Sequence, residues 1–229
     1  MKKLIIAVGV MGMLVFDAGA AIITQETWTV AGDAGWVISG SSYGTFTPAN
    51  PGGAGGVLGI TGGAGSGSVQ EDFIGTTDAA FTGDYTNGLG VRAIQFDFLP
   101  LAGGASNVPS GLDLYFWSSS VGGGNYFYYQ ITGLADGWQT YGANMLFADG
   151  WFNTQGNNNA ASFSTALADV DEIGIMIRYQ ANVGGQEYYL DDFQLLDEVI
   201  PAGPGCEVPE PGTYAVLGFA LLSLGITFR

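Results

Sequence analysis

The stretch VRAIQFDFLP, residues 91–100, alternates strictly: Ile94, Phe96 and Phe98 fall on one side of an extended chain, Gln95 and Asp97 on the other. Successive side chains of a strand point to opposite faces, so this period of two describes a strand with one buried face. The pattern recurs in GLDLYFWSSS, where Leu112, Leu114 and Phe116 oppose Asp113, Tyr115 and Trp117. It continues through NYFYYQIT, GWQTYGANM, DEIGIMIRYQ and QEYYLDDFQLL, each bounded by Gly, Asn or Asp turns. ETWTV, GWVIS and GGVLGIT are earlier candidates, and no segment carries a helical pattern of comparable length. So many strands need two packed layers, which predicts an all-β, antiparallel two-sheet sandwich of jelly-roll type.

Composition bounds the rest. Glycine is abundant, at 39 of 229 residues, yet 14 Phe, 11 Tyr and 5 Trp argue against a disordered chain, because such residues do not stay solvated cheaply. Acidic residues outnumber Lys and Arg by 21 to 5, and only Arg92 and Arg178 lie away from the chain ends. A polyanion of this kind has no basic patch for nucleic acid, and metal cations are its natural counter-ions. With no histidine, Ser-His-Asp and Cys-His catalysis and the usual zinc ligand sets are excluded. Cys206 is the single cysteine, so no intrachain disulfide exists; it reads as a spare thiol in a linker, or as an attachment or dimerising point. The glycine-rich run NPGGAGGVLGITGGAGSGS, residues 50–68, matches neither the dinucleotide fingerprint nor the P-loop, and is expected to be a flexible loop.

The two ends differ from the body. Lys2 and Lys3 precede an apolar stretch from Leu4 to Phe16 and then Ala18-Gly19-Ala20, the small-residue pattern of an export signal cleaved after Ala20 or Ala21. Signal peptidase is then one partner. At the other end VPEPGT is followed by the apolar run Tyr214 to Phe228 and by Arg229. As a helix that run is about 22 Å long, short of the roughly 30 Å of bilayer hydrocarbon. Tyr214, Leu217, Phe219, Leu221, Leu222, Leu224, Phe228 and Arg229 would form a transient membrane anchor.

This tail resembles the PEP-CTERM sorting signal of Gram-negative bacteria. The resemblance implies that Pro209, Glu210 and Pro211 are read by an exosortase-type membrane protease, and that the chain passes to the cell surface or an extracellular polysaccharide (biofilm) matrix. Each proline fixes its own φ and turns the preceding residue away from helix, which presents the segment as an extended strand. The chain thus divides into a signal helix (1–21), a sandwich (22–198), a linker (199–207) and a sorting segment with a short transmembrane helix (208–229). Its expected role is structural or adhesive, outside the cell, with no enzymatic turnover.

The late strands are similar to those of carbohydrate-binding-module-like and galactose-binding-like sandwiches. The residues themselves suggest two sites, the first of which gives the alternative role of a carbohydrate-binding module contacting exopolysaccharide. Tyr115, Trp117, Tyr126 and Tyr128 share the polar side of two successive strands, where flat rings stack on sugars while Asp113 or Gln130 bonds hydroxyls; the alternative is that the rings are covered and form a second core. Asp191 and Asp192 sit in the closing strand, one expected inward and one outward. In related sandwiches a structural calcium uses such an aspartate with a ligand from the first strand, here Glu26 or Asp33; otherwise the two carboxylates are simply solvated. No other cofactor is implied. Glu71, Asp72, Asp171, Glu172 and Glu187 supply acids for a glycosidase, but no spacing selects a pair.

Overall fold

The structure is a computed structural model that describes residues 20–28, 34–40, 44–47, 56–64, 67–101 and 108–200. Among the described residues eleven strands are formed: β1 (Ile22–Glu26), β2 (Trp36–Gly40), β3 (Thr45–Thr47), β4 (Leu58–Ala64), β5 (Glu71–Thr76), β6 (Ala93–Leu101), β7 (Gly111–Ser118), β8 (Asn125–Gln130), β9 (Gln139–Asn144), β10 (Glu172–Arg178) and β11 (Gly184–Leu196). One sheet runs β3-β4-β11-β6-β9 with β1 also on β11, and the other runs β2-β5-β10-β7-β8. All pairings are antiparallel. The two are called here the β11 sheet and the β10 sheet.

The period of two becomes the core. In β6, Ile94, Phe96 and Phe98 are buried while Gln95 and Asp97 are half-buried. Across from them Leu112, Leu114 and Phe116 of β7 and Ile173, Ile175 and Ile177 of β10 are completely buried. Aromatic side chains join the layers: Trp36 of β2 meets Phe193 of β11 at 5.0 Å, and Phe193 meets Phe96 at 6.1 Å. Each such ring removes on the order of 150–250 Å² from water, so a few of them dominate the driving force.

Four features depart from expectation. Within the glycine-rich run Leu58–Ala64 forms β4, as the GGVLGIT candidate predicted and the flexible-loop reading did not. Gly62 is required there, since a Cβ would overlap the Tyr179 ring packed against it. The first strand lies earlier than ETWTV, and Trp28 turns into the core with φ 41°. β3 and β5 were not anticipated. A short helix, α1 (Ala160–Leu167), also forms, capped by the Asn159 side chain accepting from the Ser162 N–H; its Phe163 packs on Phe116 and Phe127. Among the described residues no helix is long and apolar enough to cross a membrane. The signal helix, Asp33, the linker from residue 201 onward, Cys206 and the sorting segment lie outside the described residues.

Candidate functional site

The β7–β8 hairpin brings the four predicted rings together. Tyr115 pairs with Tyr128 and Trp117 with Tyr126, all on the outer face of the β10 sheet. Gly174 of β10 and Gly75 of β5 continue the Tyr115 row across the sheet. A Cβ on Gly75 would overlap the Tyr115 hydroxyl, so the ring lies across a trough left by two missing side chains. Its O–H donates to Glu172 Oε1 at 2.6 Å.

The expectation of four exposed rings therefore needs one correction. Trp117, Tyr126 and Tyr128 are half-buried, but Tyr115 is fully buried and forms the floor. Burial pushes its phenol well above the usual range, and the neighbouring Glu172 charge adds to this. Burial likewise pushes Tyr128 up to about 12 and raises Tyr126, so all three carry neutral hydroxyls able to donate. The glycine-rich run does not cover this face in its described part, because β4 belongs to the other sheet.

Two further rings join that sequence reasoning missed. Phe73 enters from β5, with its centroid 5.2 Å from both Tyr115 and Tyr126. Phe152 arrives through an isolated bridge between Tyr128 and Phe152 beyond β8, and its ring is 5.7 Å from that of Tyr128. Tyr126 and Tyr128 stack at 5.9 Å with planes 18° apart. The result is a strip of half-exposed rings running from Phe152 to Phe73.

Beside the strip lies a charged cluster from three strands. Arg178 of β10 lies against Gly111 of β7, where a Cβ would come within 2.9 Å of its Nη1. Its Nε donates to Glu71 Oε1 at 3.0 Å and its Nη2 is 2.6 Å from Asp113 Oδ2. Asp113 is fully buried, and its Oδ1 accepts no hydrogen bond. Burial raises its carboxyl above the ordinary aspartate value, while Arg178 opposes the shift. The Asp113 charge is also felt by the Tyr128 phenol. Asp113 was anticipated as a polar partner; Arg178 and Glu71 were not. Gln130, the other anticipated partner, is exposed opposite Asp113.

The closing strand is arranged differently from the prediction. Asp191 pairs with Asp97, but the next register pair is Gln194 with Gln95, so β11 carries a bulge and the alternation breaks there. Asp192 takes φ 51° and both carboxylates are half-buried, rather than one in and one out. Asp192 accepts from the side chains of Gln25 and Gln194, and Asp191 Oδ1 accepts the Asp192 N–H at 2.8 Å. Glu26 Oε1 is used by the Trp28 N–H. Among the described residues no three or more acidic, His or Cys side chains are grouped to hold a metal ion.

The candidate glycosidase acids are dispersed. Glu71 and Glu172 edge the outer strip, whereas Asp72 points into the core, where the Tyr179 hydroxyl donates to it at 3.1 Å. Asp171 accepts the Ser119 N–H and Glu187 the Tyr189 hydroxyl.

No protein-family model and no curated protein matches the sequence. Solved structures do resemble it. The family 11 carbohydrate-binding module of a cellulosomal cellulase of Clostridium thermocellum superposes with a TM-score of 0.50 at 15% identity, covering 80% of this chain and all of that one. The family 11 module of the same organism in complex with a β-1,3-1,4-mixed-linked tetrasaccharide gives 0.49 at 14%, covering 77% and 98%. The CBM22-1 xylan-binding domain from Paenibacillus barcinonensis gives 0.45 at 14%, covering 79% and 97%. At such identity the first of these shows a shared fold: the body is an antiparallel two-sheet sandwich of the carbohydrate-binding-module jelly-roll kind.

Proposed function

We propose that the sandwich is a polysaccharide-binding module whose ligand lies along the ring strip of the β10 sheet, without turnover chemistry. The observation that supports this most is the strip itself. Trp117, Tyr126, Tyr128, Phe73 and Phe152 are half-buried on the outer face of a sheet whose inner face already carries the core. The C–H faces of pyranose rings are apolar and flat, so they bury well on aromatic planes, while their hydroxyls need acceptors and donors at the edge. Glu71, Glu172 and Arg178 supply those.

The export signal read in residues 1–21 and the PEP-CTERM-like tail read in residues 208–229 support an extracellular role: they would deliver the module to the surface or to an extracellular matrix, through signal peptidase and an exosortase-type protease. A purely structural or adhesive matrix component is the competing reading, and it needs no glycan site.

Affinity electrophoresis of the exported protein separates the two. Mixed-linkage β-glucan, xylan and an acidic polysaccharide are cast into the gels, and at least one should retard the protein. Trp117→Ala and Tyr126→Ala should each weaken retardation about tenfold, equivalent to ~1.4 kcal/mol. Because Trp117 also packs against Gly124, Trp117→Phe serves as the folding control that retains a ring. No retardation by any polymer, or unchanged retardation in Trp117→Ala, would sink the proposal.

A further inference from the structure

We propose that the export signal is removed at the Ala20–Ala21 bond, and that this cut creates an ion pair between the new α-ammonium of Ala21 and Asp197 that fastens the two ends of the sandwich. The geometry is already present in the folded chain. The Ala21 nitrogen donates to Asp197 Oδ1 at 2.8 Å, and the Asp197 N–H donates back to the Ala21 carbonyl at 3.1 Å. The next residues along, Ile22 and Leu196, are register partners of β1 and β11.

In the uncut chain that nitrogen belongs to a neutral amide. Hydrolysis by signal peptidase adds one water across the bond: Ala20 leaves with the carboxylate, and Ala21 keeps its nitrogen as an ammonium at neutral pH. The same contact then becomes a charge-assisted hydrogen bond, stronger than the neutral one. Ala18-Gly19-Ala20 allows a cut after Ala20 or after Ala21. Only the first retains the residue whose N–H and C=O both engage Asp197.

A second feature of the sequence makes this testable without ambiguity. Lys2 and Lys3 are the only lysines and leave with the signal, so the α-amine of Ala21 is the single primary amine of the processed chain. Ala21 and Asp197 are both exposed, within reach of a reagent. The inference rests on the export reading of residues 1–20 and stands apart from the glycan reading.

The test uses the full gene expressed in an exporting bacterial host. Mass spectrometry of the recovered protein should find Ala21 as its first residue, and an N-hydroxysuccinimide ester of acetate should add one acetyl group, on that residue. Acetylation abolishes the charge, so it should lower Tm by about 1–4 °C in the native protein. In Asp197→Asn, which keeps an oxygen acceptor but not the charge, acetylation should leave Tm unchanged. A first residue other than Ala21, no acetyl uptake, or an equal fall in Tm in both proteins would each overturn the proposal.

Discussion

Arg178 is one side chain serving three strands, and its loss has a definite expected cost. It spans from Glu71 on β5 to Asp113 on β7 while belonging to β10. The Asp113 carboxylate is fully buried, so Arg178→Met would leave an uncompensated charge inside the face. Removing one partner of a buried pair costs about 3–5 kcal/mol, whereas replacing both by apolar groups of similar volume is often neutral. Urea unfolding of Arg178→Met should therefore show a loss of that size, and adding Asp113→Leu should restore most of it. If the single variant unfolds like the native protein, the pair has no structural role. The arginine could be seen in the sequence as one of two basic residues in the body, but not its partners, because Glu71, Asp113 and Arg178 are brought together only by sheet order.

At the scale of elements, the bulge in β11 and the strand β5 show what alternation reveals and where it stops. β6, β7 and β8 were legible because apolar residues alternate with polar or tyrosine residues along each, even though β7 is buried on both sides. β5 was not: in Glu71–Thr76 Asp72 is buried inward, while the adjacent Phe73 packs outward among the tyrosines, so both faces are occupied and the period of two is masked. The ring strip was therefore half visible, as the tyrosines of a hairpin, and its other half came from strands distant in sequence. α1 was missed because its eight residues bury only Phe163, Ala166 and Leu167. In β11 the inserted residue brings Asp191 beside Asp192, Asp97 and Glu26. Burial, and then those charges, raise the Asp191 carboxyl above the ordinary value, against the Asp192 N–H that lowers it. A carboxyl raised in the folded state contributes stability that is full below its unfolded pKa and is lost as pH rises through the folded one. Asp191→Asn, which can still accept the Asp192 N–H, should thus raise Tm at pH 7 by about 1–2 °C, with a smaller gain at pH 4.5, as read by thermal scans at both pH values. An equal gain at both would show that charge is not the cause.

For the molecule as a whole, charge is the term most open to control. The net charge of −16 repels itself in the compact state, and salt screens it over a Debye length of about 10 Å at 0.1 M. Tm should therefore rise by several degrees, ~3–6 °C, between 10 mM and 0.5 M sodium chloride in calorimetry. A flat or falling curve would mean that local pairs, such as Arg178 with its two acids, outweigh the global repulsion. Topology sets a further condition. β11, the last strand among the described residues, lies between β4 and β6 in its sheet, with β1 also paired to it. Until Leu196 has left the ribosome, those three strands have no common neighbour in their sheet. The β11 sheet is thus completed only when the end of the sandwich has been made, and on the export route proposed above an unfinished sheet would keep the chain threadable.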